Sequence, residues 1–304
     1  MKSEKKLNLN IAEAVSELEI LMKKVLPRDI IYRWVLGRGL EFDGYRDYSY
    51  GDDASNIDWK ATVRAGKTLI KQYIEERDLK FIFLVDVSDN MVFGSTEKLK
   101  CEYAAELVAA LSHLILITGD RVGYVLFNEK EVIINMPKLG ERQFDIFVND
   151  ISNPEIYGRS SDLSAVLENL IKGFDKTTSV VFIVSDFINL DESYNKNLEI
   201  LSNLFETVAI IVRDPLDNSL PDLDKEIVIE NPGTGERLLI NPKVAKKSYQ
   251  RNALEQLDYV KESFRENNID FLELSTDCSA SAGIAEFFNS RLKAGRRVKV
   301  KSMY

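Results

Sequence analysis

An apolar stretch in the first third of the chain ends in three side chains that offer oxygen ligands. The run Phe81–Val85 has no polar interruption and is followed by Asp86, Ser88 and Asn90. Carboxylate, hydroxyl and amide oxygens are ligands of small hard cations, and their alternate spacing favours Mg²⁺. The run is too short to span a membrane and is typical of a strand covered on both faces. We therefore predict a strand with a divalent-cation site at its carboxyl end.

A second apolar stretch, Val180–Ser185, ends in the same way at Asp186. Ligands of open α/β sheets bind outside the carboxyl ends of the strands, so Asp86 and Asp186 are expected to meet at one sheet edge. Ser161 lies in a polar loop before a predicted helix and is expected to reach the same edge. The two aspartates would act through bound waters, leaving the cation able to accept an outside carboxylate. The predicted site, expected to be shallow and open to solvent, comprises Asp86, Ser88, Asn90, Ser161 and Asp186.

The two aspartates also have a purely structural interpretation. Asp86 would then cap a turn and Asp186 would cap a helix, as short acidic side chains often do. Spacing alone does not separate this interpretation from the metal site.

Strands and helices alternate after residue 80, which is the pattern of a doubly wound α/β domain. Val122–Phe127 and Glu131–Met136 are predicted strands separated by a three-residue polar turn, so one sheet edge is expected to be antiparallel. The predicted fold is a mainly parallel, Rossmann-like sheet with a small irregular N-terminal segment. The predicted division is 1–79 for a helix and an irregular β-rich segment, 80–292 for the α/β domain and 293–304 for a basic tail.

Residues 32–79 differ in character from the rest of the chain because they are rich in Gly, Asp, Arg and Tyr and lack a long apolar run. We predict short strands and turns here. A charge network of Arg46, Asp52, Asp58 and Arg64 around a buried Trp59 would fix this irregular backbone. The alternative is a docking platform, since Trp, Tyr and Arg favour the centres of protein interfaces.

Composition excludes several classes of function. The 304 residues carry a net charge of -9, which argues against a nucleic-acid binder. One histidine and two cysteines leave neither a Cys/His metal cluster nor a histidine-based triad. No secretory leader, membrane-spanning run or phosphate-binding loop is found in the sequence, so a cytoplasmic protein without ATPase activity is expected.

The motifs of the predicted site resemble a known arrangement of residues. D-x-S-x-N from Asp86, S-D-L from Ser161 and S-D-F at Ser185–Phe187 resemble the metal-ion-dependent adhesion site (MIDAS) of von Willebrand factor type A domains. That site normally has a second serine where this chain has Asn90 and a threonine where it has Ser161. Both replacements keep an oxygen, but the longer Asn90 is expected to weaken metal binding.

The upstream segment also resembles a family. G-R-G-L-E-F from Gly37, R-D-Y-S-Y-G-D from Arg46, I-D-W-K from Ile57 and Arg64 are similar to the bacterial domain-of-unknown-function 58 family, a resemblance that covers about residues 30–290. Members of that family are generally encoded beside MoxR-type AAA+ ATPases. The resemblance implies a non-enzymatic accessory module that binds such an ATPase, with a partner Asp or Glu completing a weakly bound Mg²⁺ or Mn²⁺ site.

Two other functions stay open. A degenerate site would leave a metal-free scaffold. A magnesium-dependent phosphohydrolase of the haloacid dehalogenase type also has an Asp after its first strand, but it needs a second acid where this chain has Ser88, and serine cannot perform that proton transfer.

Overall fold

A computed structural model of the chain describes residues 7–25, 41–49, 52, 54–74, 79–173, 178–188, 194–230 and 235–293. The strands are β1 (Glu41–Asp47), β2 (Leu69–Ile74), β3 (Lys80–Asp86), β4 (Arg121–Phe127), β5 (Glu131–Lys138), β6 (Val180–Ser185), β7 (Glu206–Arg213), β8 (Ile227–Glu230), β9 (Arg237–Ile240) and β10 (Asp270–Ser275). The helices are α1 (Ile11–Val25), α2 (Trp59–Ala65), α3 (Lys100–Ile117), α4 (Glu141–Ile151), α5 (Leu163–Gly173), α6 (Tyr194–Leu204), α7 (Pro215–Asn218), α8 (Pro242–Glu266) and α9 (Ala280–Lys293). Single 3₁₀ turns cover Ala54–Asn56, Asp89–Met91 and Pro154–Ile156.

The central sheet has six strands in the order β10-β7-β6-β3-β4-β5. Neighbouring strands are parallel except for β4 and β5, which pair antiparallel at one edge. The predicted α/β class, the mainly parallel sheet and the antiparallel edge are therefore confirmed. The chain leaves β3 towards β4 and leaves β6 towards β7, so connections run in opposite directions from the two central strands. Such a switch point is where open α/β sheets bind ligands.

Both faces of this sheet are covered, as the uninterrupted apolar strands require. Side chains of β3 alternate between two cores: Phe81, Phe83 and Val85 pack with α1, α3, α4 and α9. Ile82 and Leu84 pack on the opposite face with α5, α6 and α8. The two cores hold the carboxyl ends of β3 and β6 side by side.

The N-terminal helix belongs to the first of these cores. Leu18 and Met22 of α1 are buried against α3 and α9, in agreement with the amphipathic helix predicted there. The chain before α1 is tied to α3 by two acids, since Glu102 accepts from the Asn8 amide and Glu106 accepts from the Asn10 amide.

The segment 41–74 is a hairpin with a helix between its strands. β1 and β2 pair antiparallel, which agrees with the short strands predicted in this segment, but the helix α2 was not expected. Asp58 caps α2 by accepting from the Lys60 and Ala61 amides, and Gly66 ends the helix at a φ of 68°. The motif residues 37–40 and the tail 294–304 lie outside the described residues, and the domain division of the sequence stays a prediction.

Candidate functional site

Asp86 is the meeting point of three chain segments at the carboxyl edge of the sheet. Its Oδ1 accepts from the Ser88 amide at 2.9 Å. Its Oδ2 accepts from the Ser185 hydroxyl at 2.7 Å and from the Ser161 hydroxyl at 3.1 Å. The structure thus brings together the loops after β3 and β6 and the loop before α5. Ser185 was not among the predicted ligands, although it stands beside Asp186 in the S-D-F motif.

The Asp86 carboxyl is 2% exposed, which contradicts the expectation of a shallow, solvent-open site. Burial raises its pKa, and the nearby charge of Asp186 raises it further. The Ser88 hydroxyl, the Ser88 amide and the Ser185 hydroxyl lower it in part. The resulting pKa is about 6 instead of the usual 3.8. A positive charge nearby would stabilise the ionised form of this buried carboxyl group.

Ser88 supplies the clearest sign of a ligand at this edge. Its side chain is 1% exposed, and its hydroxyl lies near enough to Asp86 to lower the pKa of that carboxyl group. Among the described residues, however, no partner meets the geometry of a hydrogen bond to this oxygen. A buried hydroxyl without a partner costs roughly 1–3 kcal/mol, and such groups are few in native proteins. The orphaned oxygen therefore marks a position where a donor or a cation would be stabilised.

The loop that carries Ser161 is fixed to the end of β3 by main-chain hydrogen bonds. Gly158 donates to Val87 at 2.8 Å, and Asp89 donates to the Arg159 carbonyl at 2.7 Å. Gly158 has a φ of +125°, and a Cβ there would lie 3.3 Å from Asp89 Oδ1. Both the backbone conformation and the close approach favour glycine at this position.

Asp186 has a partner that sequence reasoning missed. Its Oδ2 accepts from Lys100 Nζ at 2.7 Å, and its Oδ1 accepts from the Ile188 amide at 3.0 Å. Lys100 opens α3, is 1% exposed, and also donates to Asp217 at 2.9 Å. A lysine in the first turn of a helix opposes the helix dipole, and this misplaced charge was the available signal that Lys100 has acidic partners.

The ammonium of Lys100 stays charged despite its burial. Burial alone lowers the pKa of this group, but the charges of Asp186 and Asp217 and their hydrogen bonds raise it above its ordinary value overall. Asp186 is therefore already neutralised by a cation of the chain itself.

The structure brings some of the five predicted site residues into contact and leaves others apart. Asp86 and Ser161 are in contact, Ser88 is adjacent to Asp86, and Asp186 lies close enough to influence the pKa of Asp86 while bound to Lys100. Asn90 is half-buried in the 3₁₀ turn after Ser88. The described part of the chain contains no group of three or more Asp, Glu, His or Cys side chains arranged to hold a metal. A cation at this edge would depend on hydroxyl oxygens.

The upstream motif forms part of the predicted charge network. Arg46 holds Asp52 through two hydrogen bonds, Nη1 to Oδ2 at 2.7 Å and Nη2 to Oδ1 at 2.8 Å. The bonds from Arg46 and from the Ser49 amide lower the pKa of Asp52 to about 2. Tyr45 donates to Asp58 at 3.0 Å.

Trp59 is not the buried anchor of this network. Its side chain is 67% exposed on α2, one turn before the exposed Val63, so the prediction of a buried tryptophan is wrong. The Asp58 carboxylate accepts from the amides that it caps and from the Tyr45 hydroxyl, and Arg64 is exposed in the last turn of α2. The network is held by backbone caps and one bidentate ion pair, which need no aromatic centre.

Similar proteins include uncharacterized relatives and structures of distant sequence. An uncharacterized protein of Mycobacterium tuberculosis is 27% identical over 289 residues, covering 92% of this chain and 90% of the relative. The VWA domain of SpRpn10 has a TM-score of 0.40 at 10% identity, covering 68% of this chain and 93% of that domain. An aerotolerance-related membrane protein from Bacteroides fragilis has a TM-score of 0.43 at 13% identity, covering 70% of this chain and 99% of that one.

The comparison with the Bacteroides fragilis membrane protein contradicts the prediction of a cytoplasmic location, and we withdraw that prediction. Among the described helices, none combines the length and the apolar character that crossing a bilayer requires.

The family is established by a sequence match that takes in most of the chain. The model of the family described as "Protein of unknown function DUF58" matches residues 44–259, which includes the hairpin with α2, the Asp86 site and most of the sheet. The chain therefore belongs to the DUF58 family of proteins of unknown function.

Proposed function

We propose that this protein is a non-enzymatic protein-interaction module whose docking site is the carboxyl edge of β3 and β6. The observation that carries the proposal is the orphaned hydroxyl of Ser88, buried beside a carboxyl group whose pKa is raised to about 6. A site that leaves a polar atom unsatisfied and a carboxylate short of positive charge is completed by something that binds to it.

Mg²⁺ or Mn²⁺ fits this edge in part. Ser88, Ser161 and Asp86 would hold the ion, because one hydroxyl is without a partner and the other two groups already touch. A bound ion would supply a positive charge that a partner's carboxylate can bind. Asp186 would contribute less than the sequence predicts, because Lys100 takes one of its oxygens. Weak binding is therefore expected.

The partner that the family resemblance favours is a MoxR-type AAA+ ATPase offering an Asp or Glu. The non-enzymatic part of the proposal is supported by the chemistry of the edge: Ser88 stands where a phosphohydrolase needs its second acid, and Lys100 is held between Asp186 and Asp217. Neither group is placed to move a proton for a substrate.

The test is a Mg²⁺ titration followed by thermal unfolding, with Ser88→Ala as the variant and Ser202→Ala on α6 as the control. Wild type and Ser202→Ala should be stabilised by about 1.4 kcal/mol at ten times the dissociation constant, and Ser88→Ala much less. The stabilisation should weaken below pH 6, since a proton on Asp86 competes with the ion. Binding to the cognate ATPase is then measured with and without chelator, and equal affinity would exclude a metal bridge.

A second candidate, a metal-free scaffold, is favoured by the Lys100–Asp186 pair. In this case the lysine ammonium supplies the positive charge of the edge, and a partner group binds Ser88 directly. Partner binding would then resist chelator but fall in Ser88→Ala, whereas the metal-dependent function requires both treatments to weaken it.

A further inference from the structure

A cavity of about 480 Å³ lies between α1, the loop before α3 and the loop that joins β10 to α9. Four exposed carboxylates line it: Glu13 and Glu17 from α1, Glu97 from the loop and Asp277 from the β10–α9 connection. No lysine or arginine among the described residues forms an ion pair with any of these four. The cavity therefore concentrates negative charge that the described residues do not offset with ion pairs.

Glu106 lines the same cavity but differs from these four acids in having a charged partner. Glu106 is bound by Lys98 and by the Asn10 amide, so its charge is offset within the fold. The donor to Glu17 within the described part of the chain is the Ser279 hydroxyl, a neutral group, at 2.8 Å. Among the described residues, the wall acid Glu106 has a charged partner, whereas the four acids at the rim have none.

Tyr103 provides an independent sign of a ligand. Its side chain is 5% exposed and its hydroxyl forms no hydrogen bond with a described residue. The ring lines the cavity together with Cys278, Asp277 and Glu17. Burial, followed by the proximity of these three groups, raises the pKa of its hydroxyl. The unsatisfied oxygen is therefore directed into the acidic space, where it can accept a hydrogen bond from a bound cation.

The remaining walls of the cavity are apolar. Ala14 and Leu18 of α1 face Leu107 and Ala110 of α3 across it. Such walls suit the methylene stem of a long cationic group whose charged end reaches the acids. A bare metal ion is disfavoured, because the described acids include no group of three or more with metal-ligand spacing.

We propose that this cavity binds an alkyl-ammonium or alkyl-guanidinium group. Its methylenes lie against the alanine and leucine walls, its N–H groups donate to the rim carboxylates, and one of them donates to the Tyr103 hydroxyl. Either a free polyamine or an arginine or lysine side chain of a protein can supply this chemistry. The site is separate from the Asp86 edge and does not depend on the function proposed for that edge.

Calorimetric titration of the full chain with two probes distinguishes the sources. One probe is spermidine, and the other is a short acetylated and amidated peptide with one central arginine. The same peptide with glutamine in place of arginine is the control ligand. Stronger saturable binding of spermidine assigns the cavity to polyamines, and stronger binding of the arginine peptide assigns it to a protein side chain.

Two variants and one control locate the binding. Glu13→Gln with Glu97→Gln removes two exposed charges without disturbing the core, and the pair should weaken binding about tenfold or more. Tyr103→Phe keeps the ring and removes the hydroxyl, and it should weaken binding about fivefold. Glu168→Gln on α5 removes an exposed acid elsewhere and should change nothing.

The proposal is overturned if neither probe binds saturably, if the glutamine peptide binds as well as the arginine peptide, or if Glu168→Gln weakens binding as much as the cavity variants do. Loss of binding in the cavity variants with unchanged Mg²⁺ response would support it. That outcome also separates this site from the one at Asp86.

Discussion

Two aspartates from the two sequence motifs have pKa values displaced in opposite directions. Asp86, at the carboxyl edge of the sheet, is 2% exposed, and its pKa is raised to about 6. Asp52, in the hairpin segment, has a side chain 20% exposed beside Arg46, and its pKa is lowered to about 2. The sequence motifs alone make the two residues look alike, because each is an acid among polar motif residues.

The difference lies in what surrounds each charge. Asp52 has an arginine as its direct partner, so its charged form is the favoured one. Asp86 has hydroxyls and an amide as partners and a second acid nearby, so the charged form is penalised. A carboxylate that burial destabilises would be stabilised by a bound cation, so Asp86 is a candidate binding residue. A carboxylate already paired with an arginine, such as Asp52, has a structural role. Four predictions test this distinction.

The largest effect is expected from Lys100→Met. Removing the buried ammonium leaves Asp186 and Asp217 without their cation, and such a loss costs about 3–5 kcal/mol. Lys172→Met is the matched control, because Lys172 pairs with Glu168 on the surface of α5, where such pairs contribute about 0–1 kcal/mol. Urea unfolding measures the free energy of unfolding of both variants. An equal decrease in the two would contradict the larger contribution assigned to the buried ion pair.

Asp86→Asn should remove a pH dependence of stability. The folded protein holds the Asp86 proton more tightly than the unfolded chain does, so the free energy of unfolding contributed by this group falls as pH rises from 3.8 to about 6. The difference between the two pKa values of Asp86 corresponds to a change of roughly 3 kcal/mol in the free energy of unfolding. Unfolding of wild type and variant is compared between pH 4 and pH 7. If the free energies of unfolding of wild type and variant differ by the same amount at every pH in this range, the raised pKa of Asp86 is refuted.

Asp52→Asn should show a smaller effect of the opposite sign. The pKa of Asp52 is lower in the folded protein, so its pairing with Arg46 stabilises the fold above the ordinary pKa of 3.8 and is lost as pH falls towards 2. The variant should therefore be less stable than wild type near neutral pH and approach it in acid. The same unfolding series extended to pH 2 measures this, and a stability difference that grows on acidification would contradict the assignment.

Trp59→Ala should change stability least, within about 0.5 kcal/mol, because surface substitutions have effects of that size. Phe83→Ala provides the contrast, since Phe83 is 0% exposed and its truncation costs about 3–5 kcal/mol. Thermal unfolding compares the two. If Trp59→Ala leaves stability unchanged and weakens partner binding, the docking interpretation of the hairpin segment is supported; a large loss of stability would restore the structural one.

The sheet was predictable because its signal is local. The uninterrupted apolar runs before Asp86 and Asp186 can only be satisfied by strands covered on both faces, and β3 and β6 are such strands. The hairpin β4–β5 follows from a short polar turn between two predicted strands. Local patterns failed for α2, because this seven-residue helix buries none of its residues and so has no core-facing pattern.

The site was predictable only in part because its decisive contacts are distant in sequence. Lys100 meets Asp186 and Asp217, which are 86 and 117 residues further along the chain. Burial of Trp59 was inferred from residue type, and its actual exposure depends on how α2 sits on its hairpin. Nothing within the D-x-S-x-N motif itself indicates that a lysine will neutralise the second acid.

The attachment of the chain before α1 also sets an order of events during synthesis. Asn8 and Asn10 bind acids that lie 94 and 96 residues later, so the N-terminal helix cannot dock until α3 has emerged from the ribosome. During that interval Leu18 and Met22 have no core to enter, and loop closure over this distance is slow compared with local folding. In nascent chains of this protein the apolar face of α1 therefore stays unburied until α3 is available. Hydrogen exchange on stalled chains should show α1 protected only in chains long enough to include α3.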